Sequence, residues 1–216
     1  MNQYRTLIIG VILLAAVILV YLTHQAQLVE APTPNLLAPQ GDPSPSSSPT
    51  TQSVKPLAPG TNRVQIGILT MEIPEGWIAE QPRSNMRVAQ YRLEHVMGDK
   101  EDAELAIFNQ IGGSVAQNLE RWYGQFFQPD GSNSAEQAQV EVLKVHGLPV
   151  TTVYLEGTLR GSAMMTVGED KPDFALLAAI VETAEGPYYF KIVGPVHTVQ
   201  FWKDRFETLV HSVKAA

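Results

Sequence analysis

Cysteine is absent from all 216 residues. That excludes disulfides, Cys-ligated zinc, iron–sulfur clusters, thiol catalysis and a lipid-modified N-terminal cysteine. Basic residues are scarce too: 15 Lys and Arg stand against 22 Asp and Glu, a formal net charge of −7. Such a balance supplies no cationic stripe to displace phosphate counterions, so nucleic acid is not an expected partner. Familiar catalytic motifs are missing. The chain has no Gly-x-Ser-x-Gly elbow, no His-Glu-x-x-His pair and no Gly-x-x-x-x-Gly-Lys loop, which leaves acyl transfer, zinc hydrolysis and nucleotide chemistry without a local signature. The histidines are scattered. His197 and His211 fall on one predicted helix but about 21 Å apart, too far to share a metal. No cofactor and no metal is expected.

One long apolar run is present. Leu7 to Leu22 is interrupted only by Gly10 and the amphipathic Tyr21, and no Asp, Glu, Lys or Arg occurs from Thr6 to Val29. At 1.5 Å per residue a helix here can cross a hydrocarbon core about 30 Å thick. Residues 7–23 are therefore expected to be an uncleaved membrane anchor. A cleaved signal is the alternative, although Pro32 after Val29-Glu30-Ala31 disfavours cutting there. Arg5 flanks the run on its N-terminal side, and no positive charge follows until Lys55. That asymmetry expects residues 1–6 in the cytoplasm and the remainder outside, in a bacterial-type cell membrane crossed once, with the C-terminal part periplasmic or at the cell surface.

Residues 24–62 read as a disordered linker. Pro32, Pro34, Pro39, Pro43, Pro45, Pro49, Pro56 and Pro59 alternate with Ser, Thr and Gln, a composition that buries too little apolar surface to offset chain entropy. As a flexible coil its proline-rich part, residues 31–62, spans roughly 30 Å, and fully extended about 100 Å.

Residues 63–216 are long enough to enclose a core. Val64–Ile73 reads as extended, Met86–Leu93 as a half-exposed strand and Ala103–Gln110 as a more apolar one. Gln139–Val145 and Val150–Leu159 are joined by His146-Gly147-Leu148-Pro149, and Phe174–Thr183 pairs with Tyr188–Val193 across Ala184-Glu185-Gly186. Phe174 to Val181 is apolar on both faces, which demands a central strand covered on both sides. Two helices supply the covers. The first opens at a capping box, Ser114 with Gln117, and aligns Val115, Leu119, Trp122 and Phe126. The second follows Gly194-Pro195 and buries Val199, Trp202, Phe206, Leu209, Val210 and Val213. The expected class is α+β: a mostly antiparallel sheet of about six or seven strands flanked by two helices.

The segments Ile73-Pro-Glu-Gly-Trp77, Met86-Arg-Val-Ala-Gln-Tyr-Arg-Leu93, Gly98-Asp-Lys-Glu-Asp-Ala-Glu-Leu105, Gly112-Gly-Ser-Val-Ala-Gln-Asn-Leu-Glu-Arg-Trp122 and Gly186-Pro-Tyr-Tyr-Phe-Lys-Ile-Val-Gly-Pro195 resemble a family of uncharacterised exported or membrane-anchored bacterial proteins. The resemblance covers nearly all of 70–214 and implies a PsbP/Mog-like α/β/α sandwich. Relatives in that fold are mostly accessory: PsbP supports a photosystem, and the eukaryotic member binds a small GTPase. The resemblance brings no functional residues with it, and a fold by itself assigns no function.

Among candidate sites, Asp99-Lys100-Glu101-Asp102-Ala103-Glu104 is the densest polar feature. A solvated hairpin accounts for it. Contact with a protein through Asp99, Glu101 and Asp102 is one alternative; calcium is another, but the spacing lacks the EF-hand pattern and its central glycine. Met164 and Met165, between Gly161 and Gly168, are read as strand-end filler or as an adaptable contact loop. Gly112-Gly113-Ser114 is read as a plain helix cap rather than an anion site. Trp77, Trp122, Trp202 and Tyr188-Tyr189 are read as core, with the lining of a ligand groove as the alternative.

The function expected is that of a non-catalytic extracytoplasmic domain that binds or steadies another protein. A carrier of a small hydrophobic molecule or lipid is the alternative. A hydrolase assembled from distant residues such as Glu101, His146 and Asp170 is the least supported class. Protease added to intact spheroplasts is expected to release a fragment close to residues 63–216, seen by immunoblot; full protection would refute the topology.

Overall fold

A computed structural model describes residues 54–56, 62–96, 98–162 and 168–216. The predicted anchor, nearly all of the predicted linker, and Met164 and Met165 lie outside the described residues. No helix among the described residues is long and apolar enough to cross a membrane.

The chain order is β1 (Lys55–Pro56), β2 (Arg63–Ile66), β3 (Leu69–Glu72), β4 (Trp77–Glu80), β5 (Arg87–Leu93), β6 (Ala103–Asn109), α1 (Val115–Tyr123), β7 (Phe126–Phe127), α2 (Ser134–Gln137), β8 (Gln139–Val145), β9 (Leu148–Leu159), β10 (Lys171–Val181), β11 (Tyr188–Pro195), α3 (Val196–Ser212) and β12 (Lys214–Ala215). The main sheet runs β4-β5-β6-β11-β10-β9, and β7 and β8 both pair with the outer side of β9. Every pairing in it is antiparallel. The domain is thus a sheet-dominated α+β structure, with one more strand in its main sheet than the six or seven expected.

β10 lies inside the sheet, between β11 and β9, and Ala175 through Val181 are all buried. Successive side chains of a strand point to opposite faces, so an uninterrupted apolar run needs a cover on each. On the first face Leu177, Ala179 and Val181 join Phe190, Ile192, Leu105 and Ile107 beneath Val199, Trp202, Phe206 and Val210 of α3. On the second face Leu176, Ala178 and Ile180 join Tyr189, Leu155 and Trp122, the last from α1. The expected cover of one helix on each face is present.

The expected single strand Val64–Ile73 is instead a hairpin. Gly67, at φ 58°, turns β2 back on β3, with Ile66 opposite Leu69. The pair forms a second, four-stranded sheet with β1 and β12; Ile66, Leu69 and Met71 add to the first-face core beside α3. A glycine inside an apolar run marks a reversal as readily as an irregularity within one strand. Lys55–Pro56 falls inside the predicted linker span yet pairs with Gln65 and Val64. It is the edge of the small sheet, where a proline's missing N–H is tolerated. Phe126, expected on the first helix, lies instead in β7, because the helix ends at Gly124.

Gly76 and Gly194 are among the glycines that close approach requires. Gly76 has φ +86° and a Cβ there would lie 2.8 Å from the Trp202 ring. Gly194 faces Ala103, whose Cβ would be 2.4 Å from an added one.

The N-terminus of α3 has no cap from its own N-cap residue, Pro195. The loop between β5 and β6 supplies one. Asp99 accepts from the Thr198 backbone N–H at 2.7 Å and from its hydroxyl at 2.6 Å, and the Trp202 indole donates to the Glu94 carbonyl at 3.0 Å. Burial pushes the Asp99 carboxyl up, but hydrogen bonds from Thr198 and His197 outweigh it and hold the carboxyl below its ordinary range. A depressed carboxyl stabilises the fold above its unfolded pKa and loses that contribution as pH falls through the folded value. Asp99→Ala is expected to cost about 1 kcal/mol at neutral pH, with the gap to wild type closing below about pH 4 in denaturant titrations.

Candidate functional site

The acidic cluster singled out by the sequence is tied into the structure. Asp99 caps α3. Asp102 accepts from His95 at 2.7 Å and from Arg92 at 3.1 Å; hydrogen bonds from His95, then from Arg92, hold its carboxyl below the usual range. Glu101 pairs with Lys171. No group of three or more His, Cys, Asp or Glu among the described residues is arranged to hold a metal. Glu101 and Asp170 lie near the Leu159 end of β9, since Lys171 is opposite Leu159. His146 turns the chain at the other end and contacts the Val213 carbonyl at 3.0 Å. Those ends are about 35 Å apart along the strand, so the three residues share no site.

The second face of the sheet divides in two. α1 covers the part around Tyr189, whose hydroxyl is held by the Asn118 amide at 3.1 Å. On β4, β5 and β6 the face carries a charged layer instead. Arg92 bonds Glu80 at 3.2 Å, Glu104 takes Arg87 at 2.6 Å and Arg83 at 3.0 Å, and Gln90 donates to Glu80 at 3.0 Å. Arg83, Arg87 and Arg92 are balanced by Glu80, Asp102 and Glu104 within the layer, which therefore offers a ligand little unspent charge.

Beside that layer lies the buried Lys191. Its row neighbours on the adjacent strands are Ala106 and Ala178, whose small side chains leave it room. Its ammonium donates to the Gln125 side chain and lies 5.9 Å from the Trp122 ring centre. Burial, with Arg87 nearby, pushes the amine down to about 8 from 10.5. The unfolded lysine keeps its proton where the folded one has lost it, so the fold gains stability as pH rises from 8 toward 10. Denaturant titrations at pH 7.5 and 9.5 are expected to show wild type gaining relative to Lys191→Met; parallel behaviour would mean the amine is not desolvated.

The first face is open at its other end. α3 packs over β10 and β11, and beyond it β9 and β8 form the floor and wall of a cleft of about 300 Å³. Leu143, Leu177, Phe206 and Val210 make it apolar within, and Gln139, Glu141, Lys203, Glu207 and His211 stand around it. Burial, and a hydrogen bond to Glu156, push the Tyr154 phenol well above its ordinary range. Lys203 lies 5.1 Å from the Tyr154 ring centre, and Gln200 donates to Glu156 at 2.8 Å. These residues are a rim of neutral and mixed charge around an apolar slot, without a nucleophile–base pair.

The wall of the cleft, β8, is also an edge of the main sheet. Among the described residues its one neighbour is β9, with Val145 opposite Leu148 across a two-residue turn. His146 and Gly147 in that turn have φ 46° and 90°, the positive pair of a type I′ hairpin. Closure by such a turn makes Val145–Leu148 a hydrogen-bonded pair and alternates from there, so Gln139, Glu141, Leu143 and Val145 bond β9. The backbone N–H and C=O groups of Val140, Val142 and Lys144 point the other way. Val142 is 78% exposed and Val140 42%, the former the most exposed large apolar side chain among the described residues. The alternation in Gln139–Val145 was legible in the sequence as a strand. Its position at the rim was not, because nothing local tells an edge strand from an interior one. The residues of the cleft, Glu141, Tyr154, Lys203, Glu207 and His211, carried no motif and are brought together by the fold alone.

An antiparallel α+β domain with a charged but self-neutralised layer, an apolar cleft and an open edge is the class that the geometry defines. The chain matches no protein-family model and no curated protein sequence. Among solved structures it is similar to a Pseudomonas aeruginosa protein of unknown function, at 12% identity and a TM-score of 0.42, over 71% of this chain and 96% of that one. It is also similar to the cyanobacterial PsbP (CyanoP) of Synechocystis, at 16% identity and a TM-score of 0.42, over 69% of this chain and 87% of that one.

Proposed function

We propose that this chain is a non-catalytic, PsbP-like accessory domain that binds another protein outside the cytoplasm, held to the cell membrane by a single N-terminal span. The observation that carries the reading is β8: a seven-residue edge strand with two exposed valines and, among the described residues, no neighbour on its outer side. Exposed strand edges of this kind are a liability that soluble domains blunt, unless a partner uses them. The dispersal of Glu101, His146 and Asp170 and the self-pairing of the charged layer favour binding over chemistry. The anchor and the long proline-rich span rest on sequence composition, and they suit a domain that reaches a neighbour at the membrane surface.

A second reading, a carrier of a small amphiphile, is favoured by the cleft between α3 and β8. Its volume is at the low end of the range for small-molecule pockets, about 300–1,000 Å³. Native mass spectrometry of the full-length chain, gently solubilised from its own membranes, separates the two. A stoichiometric added protein mass is the expected result. A small added mass would transfer the function to the cleft, and a bare chain would refute both.

A further inference from the structure

We infer that β8 binds its partner by strand addition, taking an extended segment in which apolar residues alternate with Lys or Arg. This rests on the protein-binding reading above and assigns it a surface and a chemistry.

The two ends of the main sheet are treated differently. β4, at one end, is only four residues long and is followed by Gln81-Pro82-Arg83; its Glu80 is engaged by Arg92 and Gln90. Short length, a nearby proline and engaged charges are the usual protections of an edge. β8 has seven residues, contains no proline and pairs with β9 in unbroken register from Gln139–Tyr154 to Val145–Leu148. Three residues, Val140, Val142 and Lys144, present outward donors and acceptors. No hydrogen bond to those outward groups occurs among the described residues. An added strand satisfies them without disturbing the β8–β9 ladder, and main-chain bonds of this type supply affinity while alternate side chains supply choice.

The side chains state the choice. On the second face an incoming strand meets Val140 and Val142, which call for apolar partners directly across. On the first face it meets Glu141, with Glu207 beyond it in the cleft; Lys203 is directed at the Tyr154 ring. Alternate basic residues suit that side, and the chain's net charge of −7 draws a cationic segment at longer range. A second copy of the chain fits less well. Both copies carry −7, and antiparallel self-pairing about Val142 sets Glu141 opposite Leu143, with no cation for either acid.

The test uses the full-length chain in detergent and a synthetic seven-residue peptide alternating valine and lysine. Amide exchange followed by NMR is expected to slow about tenfold or more at Val140, Val142 and Lys144 on adding peptide, with the inward amides of Glu141 and Leu143 little changed. Val142→Pro removes an outward donor and leaves the β9 bonds in place, so it should keep the fold, checked by thermal melting, and weaken peptide binding about tenfold or more. Should V142P melt early, V142K replaces it; that variant keeps every backbone donor and removes the apolar contact. A peptide N-methylated at alternate amides on its pairing edge should not bind, and one with glutamate in place of lysine should bind more weakly. Equal binding of the N-methylated peptide, or no protection at the outward amides, would overturn strand addition. Equal binding of the glutamate peptide would overturn the basic partner. Concentration-dependent self-association that V142P abolishes would assign the edge to a second copy and overturn the proposal. If V142P still carries a stoichiometric protein partner in native mass spectrometry, the binding function stands and its placement on β8 falls.

Discussion

Burial of Ala175–Val181 from both sides is the constraint on which the rest of this structure depends. A strand with apolar residues at every position cannot lie at an edge or face water, so it must be flanked by strands and roofed twice. β11 and β9 flank it, α3 with the small sheet roofs one face, and α1 roofs part of the other. Each cover is held by polar contacts at its start. α1 is set by the Ser114–Gln117 capping box and by Asn118 on the Tyr189 hydroxyl. α3 is set by Asp99, nearly a hundred residues away in sequence, whose carboxylate takes the Thr198 N–H that Pro195 leaves uncapped.

Where no helix covers the sheet, charge replaces apolar packing. Arg83, Arg87 and Arg92 lie against Glu80, Asp102 and Glu104, and aliphatic stems of such side chains shield the strands below while their heads meet solvent. Because each sign finds its partner inside the layer, little of its charge is left unpaired. Lys191 is the exception in the interior, kept there by alanines on either side and by the Gln125 acceptor. The acids that looked most available in the sequence are therefore the ones with structural work to do, and the proposed binding surface lies at the opposite end of the sheet. There the wall of the cleft and the open edge belong to one strand, so a segment added to β8 would also extend the side of the cleft.

Much of the architecture was determined by the sequence itself. The double-faced run at Phe174–Val181, the alternation of Met86–Leu93, the capping box at Ser114 and the spacing of Val199, Trp202, Phe206 and Leu209 each encode a local period, and a period fixes both element type and buried face. The resemblance of its segments to exported bacterial proteins added the expectation of a layered sandwich. Composition also set the absence of thiol chemistry and the acidic balance. What only the tertiary structure decided is adjacency. Gly67 turns one apolar run into a hairpin of a second sheet, Asp99 becomes the cap of a distant helix, Glu101 and His146 are sent to opposite ends of β9, and Gln139–Val145 becomes an edge. These are long-range outcomes of packing order, and a strand's own residues carry the same alternation whether a neighbour lies on one side of it or on both.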